Sequence, residues 1–282
     1  MSGLFWIGGT DGDAMSPLNW SPGSPMHASA VVAGEYLWVA SGSPSFTRTN
    51  MFGDTINYQN TFAGYPVGMN LNGGDNIKVA GNAVMGAPMT VNVAGTDTLN
   101  ATPGLNVAQG TVDLAAHAHL TVTGVMSFIY DAWNGAQGSM LTNTGIIVTH
   151  GNAQISTLVN GKGMLAFSAF DGGGPGLDTI SAPIGSGQTV DLNSGHEGLL
   201  MQLTDPHHFK GLLNIAAAPG AAGWIEVQLE GIKATSFSVA NGEVTLKNGR
   251  TTVDTIRVAN AGQLPITMSQ GSDSTTLVFH TV

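Results

Sequence analysis

Two similar units between residues 140 and 170 constrain the fold more than anything else in the chain. Asn143-Thr144-Gly145 leads into Ile146-Ile147-Val148, and Asn160-Gly161-Lys162-Gly163 leads into Met164-Leu165-Ala166-Phe167. Each unit is a small polar corner followed by a short apolar run. Asn and Gly tolerate positive φ, so they suit a sharp corner. The runs are too short for helices and are bounded by Gly, which predicts strands. Gly145 and Gly163 lie 18 residues apart, the length of one coil of a parallel β-solenoid. One coil cannot bury its own apolar face. It needs neighbours above and below, so the pattern predicts a stack that extends along the chain.

Composition agrees. Gly supplies 40 of 282 residues, and only 9% of residues are charged, against a usual value of about 25%. The hydrophobic fraction of 42% excludes a disordered linker. Net charge is −10 and no basic stripe exists, which argues against nucleic acid and against an anionic membrane surface as partners. There is no cysteine, so disulfides and Cys-ligated metals are excluded. No apolar run is long enough to insert in a bilayer. The opening MSGLFWIGGTDGDAMS has neither a basic n-region nor an apolar h-region and does not read as a secretory signal peptide.

Residues 1–40 hold Trp6, Gly8, Gly9, Gly12, Asp13, Asn19, Trp20, Gly23 and Pro25 in an order that resembles the opening coil of bacterial autotransporter-like and adhesin β-helices. That resemblance implies a capping coil, with the two tryptophans closing an apolar stack. Residues 44–66 alternate poorly and read as a loop-bearing insertion or irregular coil, whose Tyr and Phe side chains pack on the solenoid or stack on sugars. From 67 to 129, short strands are expected at 67–71, 77–79, 89–93, 105–107, 112–114 and 120–125, separated by Gly, Asn or Pro turns. One face of each would be core and the other solvent.

Gly173-Gly174-Pro175-Gly176-Leu177-Asp178-Thr179-Ile180 fits the calcium-binding nonapeptide of the RTX-type β-roll. The resemblance implies a Ca²⁺ corner at Asp178, Gly174 and Gly176. Only one clear copy is present, and Asn72-Gly73-Gly74-Asp75 resembles it in part; a Gly-rich solenoid corner is the other reading. No other cofactor is indicated. His117 and His119 are two apart, so on a strand they face one side and offer two metal ligands. His207-His208 falls at a turn after Pro206. The chain has no H-E-x-x-H, G-x-S-x-G, P-loop or dinucleotide fingerprint. Asp171, Asp178, Asp191 and Glu197 are the carboxylates that coils could align for sugar chemistry, which needs paired carboxylates at a defined separation. Most Asp residues sit beside Gly or Asn, where they cap backbone amides. No catalytic residue is assigned, and the chain is not read as an enzyme.

After residue 199 the pattern changes. Residues 237–246 read strand, Asn-Gly, strand, a hairpin signal. The block resembles the C-terminal repeat of large secreted bacterial surface proteins, and Thr275-Thr276-Leu277-Val278-Phe279-His280-Thr281-Val282 resembles the uncleaved signal of type I-secreted proteins. The resemblance implies export without a cleaved leader. The expected architecture is all-β: a right-handed parallel β-helix over 1–198 and a C-terminal β module over 199–282, the hand following the general crossover rule. The expected role is an extracellular or cell-surface structural or adhesive protein that associates with copies of itself through open β edges into fibres or a biofilm matrix. A polysaccharide-cleaving β-helix enzyme or tailspike-like depolymerase is the alternative, and a Ca²⁺-dependent glycan-binding module the second. Polysaccharide is therefore a candidate partner.

Overall fold

The computed structural model describes residues 45–47, 55–58, 67–71, 76–79, 82–168, 176–193, 198–216 and 223–280. The expected capping coil over 1–40 lies outside the described residues, as do 72–75, Asp171, Gly174 and Glu197. The described chain contains no α-helix, and its parallel strands form a β-solenoid. It divides into two compact units, Met1–Ile147 and Val148–Val282.

The first unit holds β1 (Ser45–Thr47), β2 (Thr55–Tyr58), β3 (Val67–Leu71), β4 (Asn76–Val79), β5 (Asn82–Val93), β6 (Thr96–Leu114), β7 (His119–Gly135) and β8 (Met140–Asn143). The described pairings among them are parallel. One face stacks β1 on β3 and β3 on β5; another stacks β2 on β4 and β4 on β6. The stretch 44–66, expected as an insertion or irregular coil, thus contributes two strands to regular stacking. The separate strands expected at 105–107 and 112–114 are one 19-residue strand, β6, and β7 runs for 17 residues. These strands pass from face to face through register shifts at Met85/Pro88 and Ala101/Leu105. A bulge bends a strand without ending it, so Gly86, Pro88, Pro103 and Gly104 mark corners here without breaking the strands.

Inward positions recur every second residue. Val91, Val112 and Trp133 stack in register, and each is at most 1% exposed. Burying such side chains contributes about 1.5–3 kcal/mol each. Phe128 meets Trp133 edge to face at 5.7 Å, and the Trp133 indole N–H donates to Asp131.

The second unit takes in most of β9 (Ile146–His150), then β10 (Gln154–Ile155), β11 (Leu158–Asn160), β12 (Met164–Ser168), β13 (Leu177–Ile180), β14 (Thr189–Asn193), β15 (Leu199–Leu203), β16 (Leu212–Ala216) and β17 (Trp224–Glu230). β12, β14 and β16 stack in parallel, aligning Leu165, Val190 and Leu213. β13, β15 and β17 form a second parallel face. The 18-residue coil read from the sequence is real at one place: β9 pairs with β12, and Ser168 lies beside His150. Elsewhere along the coils stacked partners are 21 to 26 residues apart.

The module that follows comprises β18 (Ser236–Ala240), β19 (Glu243–Asn248), β20 (Thr251–Val258), β21 (Ile266–Gln270) and β22 (Ser274–His280). Parallel stacking does not stop at residue 199. It continues through β17, whose far edge is covered by β22 in antiparallel pairing over seven residues. β20 pairs with β16 at Leu212 and Leu213. The expected hairpin is present: Val239 faces Val244, with φ of 53° at Asn241 and 75° at Gly242. Positive φ at both central residues matches the right-handed twist of the strands.

Candidate functional site

Asp178 points into the core of β13 and is 1% exposed. Its Oδ1 accepts the Ala153 backbone N–H at 2.8 Å. In return Asn152, held at a φ of 50°, accepts the Leu177 N–H through its Oδ1 at 3.0 Å. Gly176 sits so close that a Cβ there would come within 3.1 Å of the Asn152 nitrogen and the Gly151 Cα. Gly176-Leu177-Asp178 is therefore stacked on Gly151-Asn152-Ala153, and two hydrogen bonds clamp the corner. Gly174 lies outside the described residues. No group of three His, Asp or Glu side chains placed to hold a metal occurs among the described residues. What the structure displays at Asp178 is a coil-to-coil bond. Asp178→Ala is expected to cost about 2 kcal/mol, because the Ala153 amide would be left buried and unpaired. Asp178→Asn, which keeps an acceptor, should recover part of that. Urea midpoints of the three proteins check this, and a change near zero for Asp178→Ala would remove the clamp.

Asp191 faces the other way. It is outward on β14, and the Asn214 carboxamide, in register on β16, donates to its Oδ1. Asp178 and Asp191 thus lie on different faces, one inward and one outward, and do not form the carboxylate pair that sequence proximity had allowed. Asp171 and Glu197 are not described. Two other outward carboxylates also accept from carboxamides. Asn134 donates to Asp113 at 2.8 Å. Gln202 and Gln228 both donate to Glu230, at 3.0 and 2.6 Å. Adjacent strands are about 4.8 Å apart, so a carboxamide on one coil reaches a carboxylate on the next, and charge strengthens the bond.

His117 and His119 do not share a strand face. His117 occupies the turn before β7 with a φ of 60°, and its ring lies against Gly138. His119 is half-buried between Thr96 and Met140. The left-handed backbone at His117 breaks the alternation that would have aligned them. His207 and His208 do sit in a single 3-10 turn after Pro206. His208 Nδ1 is 2.8 Å from Asp205, and His207 Nδ1 is 3.6 Å from Asp254.

One further pair was not expected from the sequence. Ser168 Oγ and His150 Nδ1 are 2.6 Å apart on stacked strands. A hydroxyl donating to an imidazole is the start of a nucleophile and its base. Among the described residues no carboxylate bonds to His150, so the orienting third member is not in evidence. The pair resembles the other outward ladder bonds in placement. Only the local 18-residue coil would have revealed it.

The remaining feature is an edge. β21 pairs with β22 on one side, and no described strand pairs with it on the other. It is largely exposed and carries no charge. β18 likewise pairs with β19 alone among the described strands.

The chain matches no known family model, and no curated protein or solved structure is significantly similar to it. Its class is defined by architecture: a parallel β-solenoid closed at one end by antiparallel strands. No described helix is long and apolar enough to cross a membrane.

Proposed function

We infer that the protein is a structural or adhesive component of the cell exterior that associates with copies of itself, edge strand to edge strand. The supporting observation is β21. Natural sheet edges are usually blunted by Lys, Pro, bulges or covering segments. β21, with the sequence ITMSQ, offers its backbone without a charge or a proline inside it. Pairing there with a non-equivalent edge of another copy is a heterologous contact, which propagates into a filament. The outward ladders fit this role, since they hold coils to one another along the stack.

Negative-stain imaging across a concentration series tests the reading. Regular filaments are expected from the native chain. The double variant Thr267→Lys/Ser269→Lys places two ammonium groups on the exposed side of β21 and should abolish them while leaving the melting temperature nearly unchanged. A strictly monodisperse native protein at high concentration would sink the proposal, and so would filaments indifferent to the two lysines.

A further inference from the structure

A cavity of about 220 Å³ opens in the antiparallel module, lined by Lys233, Thr235, Asn248, Gln270, Gly271 and Ser274. These residues come from the β17–β18 connection, the end of β19, the end of β21 and the start of β22. The walls are tied together. Thr235 Oγ1 accepts the Gly249 N–H at 3.0 Å and bonds the Lys247 carbonyl at 3.3 Å. The Gln270 carboxamide donates to the Ala234 carbonyl. The fold thus builds the cavity before any ligand arrives, which lowers the ordering cost of binding.

The lining side chains are all polar, although aliphatic stems and backbone make about half of the wall apolar; most ligand sites are more apolar than this. Its volume lies below the ~300–1,000 Å³ typical for drug-sized ligands, which suits a single ring. The one cation is already matched: Lys233 Nζ lies 2.9 Å from Asp273 Oδ1, with both side chains more than half exposed. Such an exposed pair adds little to stability. It leaves two ammonium hydrogens and a second carboxylate oxygen free for a ligand at this exposed pair. A free anion gains little from a neutralised rim. A pair of neighbouring hydroxyls gains on both sides, one accepting from Lys233 and one donating to Asp273.

Ser274 points to the same chemistry. It is 8% exposed, and the one hydrogen bond its Oγ receives, from Gln228 Nε2, is long at 3.5 Å. Its own hydroxyl hydrogen finds no acceptor among the described residues. A buried hydroxyl in that state gains from a hydroxylated ligand. Gly271 keeps it accessible, because a Cβ at that position would come within 2.5 Å of Ser274 Oγ.

We propose that this cavity binds one neutral hexose ring, gripped through a vicinal diol by Lys233 and Asp273 and reached by Ser274 and Asn248. The site does not depend on edge-to-edge association. Saturation-transfer NMR on the full chain, with the methyl glycosides of glucose, galactose, mannose and N-acetylglucosamine as probes, tests it. At least one glycoside should bind. Lys233→Ala and Asp273→Ala, both at exposed positions, should each weaken that binding by ~10-fold or more, the scale of a lost hydrogen bond to a charged group, with unchanged circular dichroism. Gly271→Ala should weaken it too, by closing off Ser274. Absence of binding by all four glycosides would overturn the proposal. So would binding unaltered in the Lys233 and Asp273 variants, or binding of inorganic phosphate and glucuronate in place of neutral sugars, which would make the cavity an anion site.

Discussion

Phe279→Ala is expected to destabilise the protein by about 3–5 kcal/mol, the usual cost of truncating a buried phenylalanine. Phe279 is fully buried, facing Ile225 on β17 and Ile266 on β21. A typical domain is stable by only about 5–15 kcal/mol, so this one change removes a large share. The damage should also be local in kind, because β22 is the strand that covers β17. Urea unfolding followed by circular dichroism would give the loss, and light scattering would show the uncovered variant associating at lower concentration than the native chain. A loss below about 1 kcal/mol would mean that the residue does not pack as described.

Gly145→Ala is the second large effect, and its cause is space. A Cβ at Gly145 would lie 2.2 Å from the Gly124 carbonyl oxygen and 2.7 Å from the Gly124 nitrogen. Both are backbone atoms of the preceding coil, so no side chain can swing aside. Overpacking typically costs about 1–3 kcal/mol, and a clash with backbone alone belongs at or above the top of that range. Gly262→Ala is the control, since a Cβ there meets nothing within 4 Å. Thermal unfolding of the two variants side by side decides the matter, and equal midpoints would remove close approach as the reason for a glycine at 145.

The same residue shows what the sequence could and could not reveal. Asn143-Thr144-Gly145 reads as a corner, and it is one: the Gly145 N–H donates to Asn143 Oδ1 at 3.1 Å. Gly145 is nevertheless not among the described glycines with positive φ; Gly161, at 101°, is. Stacking, which a single sequence does not display, explains Gly145. Alternation made the inward residues of β12, β14 and β17 legible, because a period of two survives any coil length. The Asn241-Gly242 hairpin was legible because its turn chemistry is local. Coil length was not, since it varies and the long strands β5, β6 and β7 run on through corners whose Gly and Pro residues read as strand ends. That variation hid the opposite orientations of Asp178 and Asp191. A shift of one residue sends a side chain to the other face. The site in the antiparallel module was illegible for a related reason: its lining residues come from three stretches, 233–235, 248 and 270–274, that only the folded module brings together.

The antiparallel closure also sets an order of events. Each parallel coil can add to the last after a loop of 18 to 26 residues, a modest entropic step. β17 has no such successor. Trp224 must wait for His280 and Glu230 for Ser274, so the growing end of the stack is a bare strand until β22 arrives. Long-range pairing of this kind is slow and leaves the intermediate prone to association. A chain halted before β22 would therefore carry a working stack with an open end, and the interval between synthesis of β17 and docking of β22 becomes the time during which assembly can begin at the wrong edge.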